Sequence, residues 1–499
     1  MKPSRPFIHG LTAFLCGAMV MILEMTGARM LAPYLGTSLI VWTSLIGVVL
    51  ASLSFGYWYG GILADRYPTP YLLAKIIFAA GLAIAVVGGS YTFILEPLSS
   101  GKLNLYIAAL ISATVLFAVP GALLGMVSPF LARLAIDDIG STGRTVGRLY
   151  ALSSIGSILG TFLGGFILIS LLKTGTILFL IAAVLVLVAL FLQFPKPNIP
   201  NREASVILVL LFTVAGGWYQ VFGYSLLPDG IHRETPYNHI RVYDSFEGRI
   251  RSYQTDPGPY SQASMVVGRP EALVSRYLPY SDLAFFYRPE TLSVAVIGGG
   301  GYCLPKYLLA MRPEVKIDVI EIDPGVTAVA KEFFELKDDP RLRIFHEDAR
   351  RFLRRTKDDA EKYDMIFGDA FNSNYSVPFH LLTKECLEEI SDRLNGDGIY
   401  MMNVIASAEG PKHKLFQAFH RTFSEVFPRS LVFMADGPAR NKDIQNILFV
   451  GFKGSRELPD SETAPSEVQQ LLDHRWTQPI PQTIPPLLDA LAPVEWYMF

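Results

Sequence analysis

Seven long apolar stretches fill the first 223 residues, at about 8–32, 38–63, 71–95, 104–134, 145–170, 174–194 and 204–223. Each reaches the roughly 20 residues that a helix needs to cross the hydrocarbon of a bilayer. Backbone groups in hydrocarbon must be satisfied within the segment, so the pattern predicts an α-helical polytopic membrane domain. The first stretch is too long, and is followed by too many others, to be a cleaved signal. Glycines recur inside the stretches, as in Gly56, Gly60 and Gly61, or Gly156, Gly160, Gly164 and Gly165. A spacing of four lets two helices approach closely. Glu24 and Arg29 lie within or at the end of the first stretch. Ionisable groups at that depth are costly. They read either as functional or as an internal ion pair, with Arg29 reaching for the interface.

Composition changes near residue 228. The whole chain is 51% hydrophobic and 18% charged, and the apolar excess lies in the first 222 residues. The net charge of −2 and the lack of a basic block give no footprint for nucleic acid. Cys16, Cys303 and Cys386 are scattered, with neither metal-ligand spacing nor a disulfide framework. Residues 237–256 alternate with period two around Glu247-Gly248 and predict a small β-hairpin unit. Residues 262–287 read as helical. Strands are expected at 293–297, 316–321, 341–345, 364–368 and 398–404 with helices between them, then at 430–434 and 446–452 without one. This is an α/β domain of the class I methyltransferase (Rossmann-like) type. The expected organisation is a transmembrane domain over 1–227, a small β/helical substrate-side subdomain over 228–290, and a nucleoside-binding catalytic domain over 291–455. A Pro-rich wrapping tail follows over 456–499, helical near 465–473 and 486–491.

The chemistry sits at four strand ends. Val294-Ala-Val-Ile stops in Gly298-Gly299-Gly300-Gly301-Tyr302, where backbone can approach a ligand closely. Ile317-Asp-Val-Ile leads to Glu321 and Asp323, placed for the hydroxyls of a ribose. Glu347-Asp348 follows the third strand, and Asp348 is placed to accept from an adenine amino group. Gly368-Asp369-Ala370-Phe371-Asn372 follows the fourth, and Asp369 would lie near the reacting carbon. Each acid alone also reads as a helix N-cap. Three in register with a glycine turn make a nucleoside site.

These motifs resemble the spermidine synthase (polyamine aminopropyltransferase) superfamily. Trp42-Thr-Ser, Gly60-Gly61-Ile-Leu-Ala-Asp65-Arg66 and Asp369-Ala-Phe with Val377-Pro378-Phe-His380-Leu-Leu-Thr383 are similar to its branch that joins a multi-span domain to a spermidine synthase-like domain. The resemblance implies S-adenosylmethionine or its decarboxylated form as donor, methylthioadenosine as product, and no metal. It implies Glu321 as the ribose acid, Asp348 as the adenine residue and Asp369 as the catalytic acid. Tyr237 and the Tyr260-Ser-Gln262 stretch resemble the family's substrate-side wall, where the tyrosines would either orient an amine or serve as core aromatics with a satisfied hydroxyl, and His239 and His380 read as polar lining or as structural. The chain departs from the pattern twice. Soluble members carry an Asp where Gly301 stands, and a second acceptor-side Asp where Asn372 stands. Loss of both acids thins the polyamine trap and favours intact S-adenosylmethionine.

The expected function is therefore a membrane-embedded transferase moving an aminopropyl-type group to an amine or lipid acceptor. Its alternative is cleavage or cyclisation of the donor without an acceptor. A methyltransferase and a transporter with a nucleoside-sensing domain rank below these. A homodimer is compatible with this reading. Basic residues before the first stretch and after the second, fourth and sixth put the N-terminus in the cytoplasm. Seven crossings then put the catalytic domain outside, whereas a nucleoside made in the cytosol argues for inside.

Overall fold

A computed structural model describes residues 5–98, 103–136, 142–193, 202–222, 230–255, 261–370, 378–410 and 412–498. The chain forms two compact units, Met1–Pro228 and Asp229–Phe499.

The first unit is all helical: α1 (Arg5–Leu35), α2 (Leu39–Arg66), α3 (Pro70–Leu98), α4 (Leu105–Ala135, interrupted at Met126), α5 (Thr142–Leu171), α6 (Thr174–Gln193) and α7 (Arg202–Phe222). Six are long and apolar enough to cross a membrane. Among the described residues α7 qualifies only as a shorter apolar helix, Ile207–Phe222. Each of the seven helices overlies one of the seven expected apolar stretches.

Glycines set the helix contacts. A Cβ on Gly56 would lie 2.2 Å from the Ala122 carbonyl oxygen of α4, and one on Gly156 would lie 2.0 Å from that of Phe14 on α1. Neither contact tolerates a side chain, which is the physical content of the four-residue spacing. Arg29 reaches across from α1 to α5. Its guanidinium donates to the carbonyls of Ile169 and Leu172, the latter at 3.2 Å, and so caps the end of α5. Glu24 is half-buried on the same helix.

The second unit holds two sheets. The first is antiparallel in the order β1 (Ile231–Glu234), β2 (His239–Ser245), β3 (Ile250–Gln254), β4 (Ala263–Val266), β5 (Arg269–Leu273). The expectation of helix over 262–287 is thereby corrected. Gly268, at φ +77°, turns β4 back into β5, and only Leu278–Ser281 (3₁₀) and Asp282–Tyr287 are helical. Pro270 and Pro279 also oppose a continuous helix there.

The second sheet comprises β6 (Ser293–Ile297), β7 (Lys316–Ile320), β8 (Leu342–Phe345), β9 (Tyr363–Gly368), β10 (Leu394–Ala406), β11 (Arg429–Met434) and β12 (Gln445–Phe452). Its order is β11-β12-β10-β9-β6-β7-β8, with β12 alone antiparallel. Helices α8 (Cys303–Met311), α9 (Pro324–Phe333), α10 (Ala349–Arg355), α11 (Lys384–Arg393) and α12 (Lys414–Val426) connect the strands up to β11. This is the expected methyltransferase-type arrangement. The central strands are apolar on both faces, as parallel strands between helix layers must be: Val294, Ile317, Met365 and Met401 are fully buried. In the tail, Ser466–Leu472 is helical as expected, but 486–491 is not. Leu488 and Leu491 close a small bridge there, and the last helix is Val494–Met498.

Candidate active site

Strand order reverses at β6. Its neighbours are β7 on one side and β9 on the other, and Ile297 is paired with both Ile320 and Gly368. Loops leaving the two sides of such a reversal open a crevice at the carboxyl edge of the sheet. Here the crevice is a cavity of about 590 Å³, the size of a small-molecule site.

The glycine turn forms one wall. Gly298 and Gly300 have φ of +97° and +50°, and a Cβ on Gly298 would lie 2.4 Å from the Asp369 carbonyl oxygen. The two loops touch because the residue is glycine. Tyr302 is also left-handed, at φ +53°. Its ring is buried beneath Gly299, and its hydroxyl lies 2.6 Å from Thr327 Oγ1. The turn therefore rests on an aromatic plate. Gly301 is different: a Cβ there would lie 2.9 Å from the Phe334 ring and 3.0 Å from Ala263 Cβ. It points into packed core, so a larger residue requires its neighbours to move.

The acids differ in their surroundings. Glu321 lines the cavity and accepts from the Gly299 and Asp323 main-chain N–H groups, both at 2.8 Å. Burial raises its pKa against those two donations. Asp323, by contrast, is fully buried and is not part of the lining. It caps α9 by accepting from Gly325 N–H, and it receives the Thr235 hydroxyl at 2.5 Å and Asn238 Nδ2 at 3.2 Å. Its role is to tie β1 and the turn after it to the large sheet. Glu347 lines the cavity and pairs with Arg355 at 2.5 Å. Asp348 is both a helix cap and a lining residue. It caps α10 through Arg351 N–H at 3.0 Å, and it faces the cavity beside His380 Nε2 at 3.1 Å. The His380 contact leads the effects that lower its pKa.

Asp369 follows β9 directly. Its Oδ2 accepts the Tyr277 hydroxyl at 2.7 Å and its Oδ1 accepts Asn403 Nδ2 at 2.9 Å. Burial pushes its pKa up to about 6, against the pull of those two donors. The Tyr277 hydroxyl is raised in turn, by burial and by the adjacent carboxylate.

Neither Tyr277 nor Asn403 was foreseen. Tyr277 gives no signal, because it lies in a segment read as helix. Asn403 gives one: it is the only polar residue in Ile399-Tyr-Met-Met-Asn-Val-Ile405 apart from a tyrosine hydroxyl, and an amide inside an apolar strand needs a reason. Of the residues expected on the substrate side, Gln262 lines the cavity with its amide held by Thr255. Tyr237 is exposed and lies outside the lining. Tyr260 and Asn372 lie outside the described residues.

An α/β domain with a cavity at its strand reversal, lined by a glycine turn and several acids, has the build of a small-molecule site in an open sheet. Residues 280–440 match the spermine/spermidine synthase domain family. The polyamine aminopropyltransferase of Vibrio vulnificus is 28% identical over 215 residues, covering 42% of this chain and 69% of that protein. The eEF1A lysine and N-terminal methyltransferase homolog of Drosophila melanogaster is 28% identical over 138 residues, 27% of this chain and only 20% of the fly protein. A probable spermidine synthase from Corynebacterium glutamicum superposes with a TM-score of 0.42 at 20% identity, covering 49% of this chain and 86% of that one. Over residues 280–440 the C-terminal unit is thus similar to the spermidine synthase superfamily.

Proposed function

We propose that this unit transfers an aminopropyl-type group from a sulfonium nucleoside, S-adenosylmethionine or its decarboxylated form, to an amine. Methylthioadenosine is released. The observation that carries the reading is Asp369, a carboxylate with a pKa near 6, held by Tyr277 and Asn403 beside the glycine turn. The amine lone pair attacks the carbon next to sulfur. The C–S bond breaks and its electron pair neutralises the sulfonium. The nitrogen's extra proton passes to Asp369, which is ionised at neutral pH and close enough to that pH to accept it. Glu321 takes the ribose hydroxyls and Asp348 the adenine amino group, each through a charge-assisted hydrogen bond.

Gly301 supports intact S-adenosylmethionine as donor. No carboxylate stands there to hold the ammonium of a decarboxylated donor, and core packing closes the position to one. The same observation supports a second reading, donor cleavage without an acceptor. The six apolar helices support a membrane-integral protein, with the nucleoside unit on the cytoplasmic side where such donors are made.

One assay separates these readings. Detergent-purified full-length protein is incubated with each labelled donor, with and without an amine. Methylthioadenosine formed only with amine supports transfer, and formed without it, cleavage. S-adenosylhomocysteine in either case would sink both in favour of methyl transfer.

A further inference from the structure

Crossing the sheet from β7 through β6 and β9 to β10 and β12 carries the cavity past Asp369 to a second wall. Its described lining includes Ser275, Asn403, Ile405, Asp436, Ile444 and Asn446. Asp436 is the one charged residue among these, and it is already paired. Arg276 holds its Oδ1 at 3.1 Å and Arg440 its Oδ2 at 3.2 Å. Both carboxylate oxygens already face guanidinium groups, which offset the charge that a second ammonium would seek. Ile405 and Ile444 supply apolar surface instead.

Asn403 adds an independent observation. It is 1% exposed, and its Nδ2 donates to Asp369. That donation fixes the orientation of the amide, because the flipped form would set oxygen against oxygen. The Oδ1 that remains is buried and has no hydrogen-bond partner. A buried carbonyl oxygen left without a donor costs roughly 1–3 kcal/mol, so a ligand N–H at this point recovers what the protein leaves unmet.

Building on the transfer reading above, we infer that the acceptor is a primary monoamine with an uncharged remainder. Asp369 takes one N–H of the attacking nitrogen and Asn403 Oδ1 takes the other. A neutral primary amine has two N–H groups and one lone pair, so this arrangement leaves only the lone pair free to face the donor carbon. The rest of the acceptor runs along Ile405 and Ile444. A diamine would bring its distal ammonium to a wall whose carboxylate is already paired, and burying an unpaired charge is costly.

The test uses full-length detergent-purified protein with labelled S-adenosylmethionine and its decarboxylated form. Hexylamine, putrescine and N-methylhexylamine are compared by kcat/KM. Hexylamine should exceed both of the others by about tenfold, the equivalent of one good hydrogen bond or one unpaired charge. Asn403→Leu should lower the hexylamine rate and erase its advantage over N-methylhexylamine, because the second N–H then has no acceptor. A merely structural role for Asn403 would lower both rates in proportion and leave the ratio intact; that result overturns the assignment. So does putrescine as the better acceptor. Should no amine turn over, calorimetric binding of the three amines to the methylthioadenosine-loaded protein must show the same order, and any other order overturns the inference. Failure to bind any nucleoside would remove the transfer reading itself.

Discussion

At one end of the cavity, acids are held by main-chain N–H groups, two residues away at Asp323, three at Arg351 and 22 at Gly299. Glu321 takes N–H groups from Gly299 and Asp323, and Asp348 takes one from Arg351. At the other end Asp369 is held by two side chains, Tyr277 and Asn403, 92 and 34 residues away. The first end is rigid by local geometry and is suited to a ligand that is always the same. The second is assembled by tertiary packing, and single substitutions elsewhere in the chain can retune it. A nucleoside fits the first role and a variable acceptor fits the second.

The sharpest way to break that division is Asp369→Asn. Turnover should fall by about 10³-fold, within the usual worth of a positioned base. Methylthioadenosine affinity by calorimetry should change little, because the other end is untouched. Stability gives a control. Burial lifts the folded pKa to about 6 from an ordinary 3.8. Ionised Asp369 therefore weakens the fold, an effect absent below about pH 4 and complete above about pH 6. The Asn variant should lose no stability at pH 8 relative to wild type. Loss of folding together with activity would sink the assignment.

Glu321→Gln attacks the opposite end. It keeps the shape and removes the charge that would hold two ribose hydroxyls. Charged hydrogen bonds are worth roughly 1.5–3 kcal/mol, so nucleoside affinity should fall about 10- to 100-fold. The rate at saturating donor should survive. An unchanged dissociation constant would mean that Glu321 serves only to brace Gly299.

The same contrast explains what could be read from sequence. The parallel strands appear as apolar runs, and their ends carry the glycines and acids of the local half of the site, so sheet, turn, Glu321 and Asp348 were all visible. Asp323 was misplaced because a second acid at a strand tip looks like a ligand until its cap and its Thr235 partner are known. Tyr277 stayed hidden because its segment, taken for helix, is a hairpin and a short turn after Gly268. Nothing local in the sequence says that a chain 92 residues upstream returns to Asp369.

Gly301 tests whether the local half is as closed as it looks. Gly301→Ala adds one methyl against Phe334 and Ala263. Overpacking of that kind costs about 1–3 kcal/mol, which would appear as a lower thermal midpoint of the nucleoside unit. An Asp introduced there should fail to create preference for the decarboxylated donor, since its side chain would meet the same ring. A clear switch in donor preference would show that the loop can open.

The smallest effect expected is the most diagnostic of the assembled half. Tyr277→Phe removes one donor to Asp369 and leaves the ring in place. Losing a single hydrogen bond to a charged group should lower kcat about fivefold to tenfold. The direction of the pH profile matters more. The Tyr277 hydroxyl stabilises the carboxylate, and burial opposes it. Removing the hydroxyl must therefore raise the pKa of Asp369 further, and the rising limb of kcat against pH should move upward from its wild-type midpoint near 6. A structural role for Tyr277 would reduce the rate at every pH without moving the limb. A downward shift would mean that the hydroxyl accepts rather than donates, and would reverse the proton inventory at this end of the cavity.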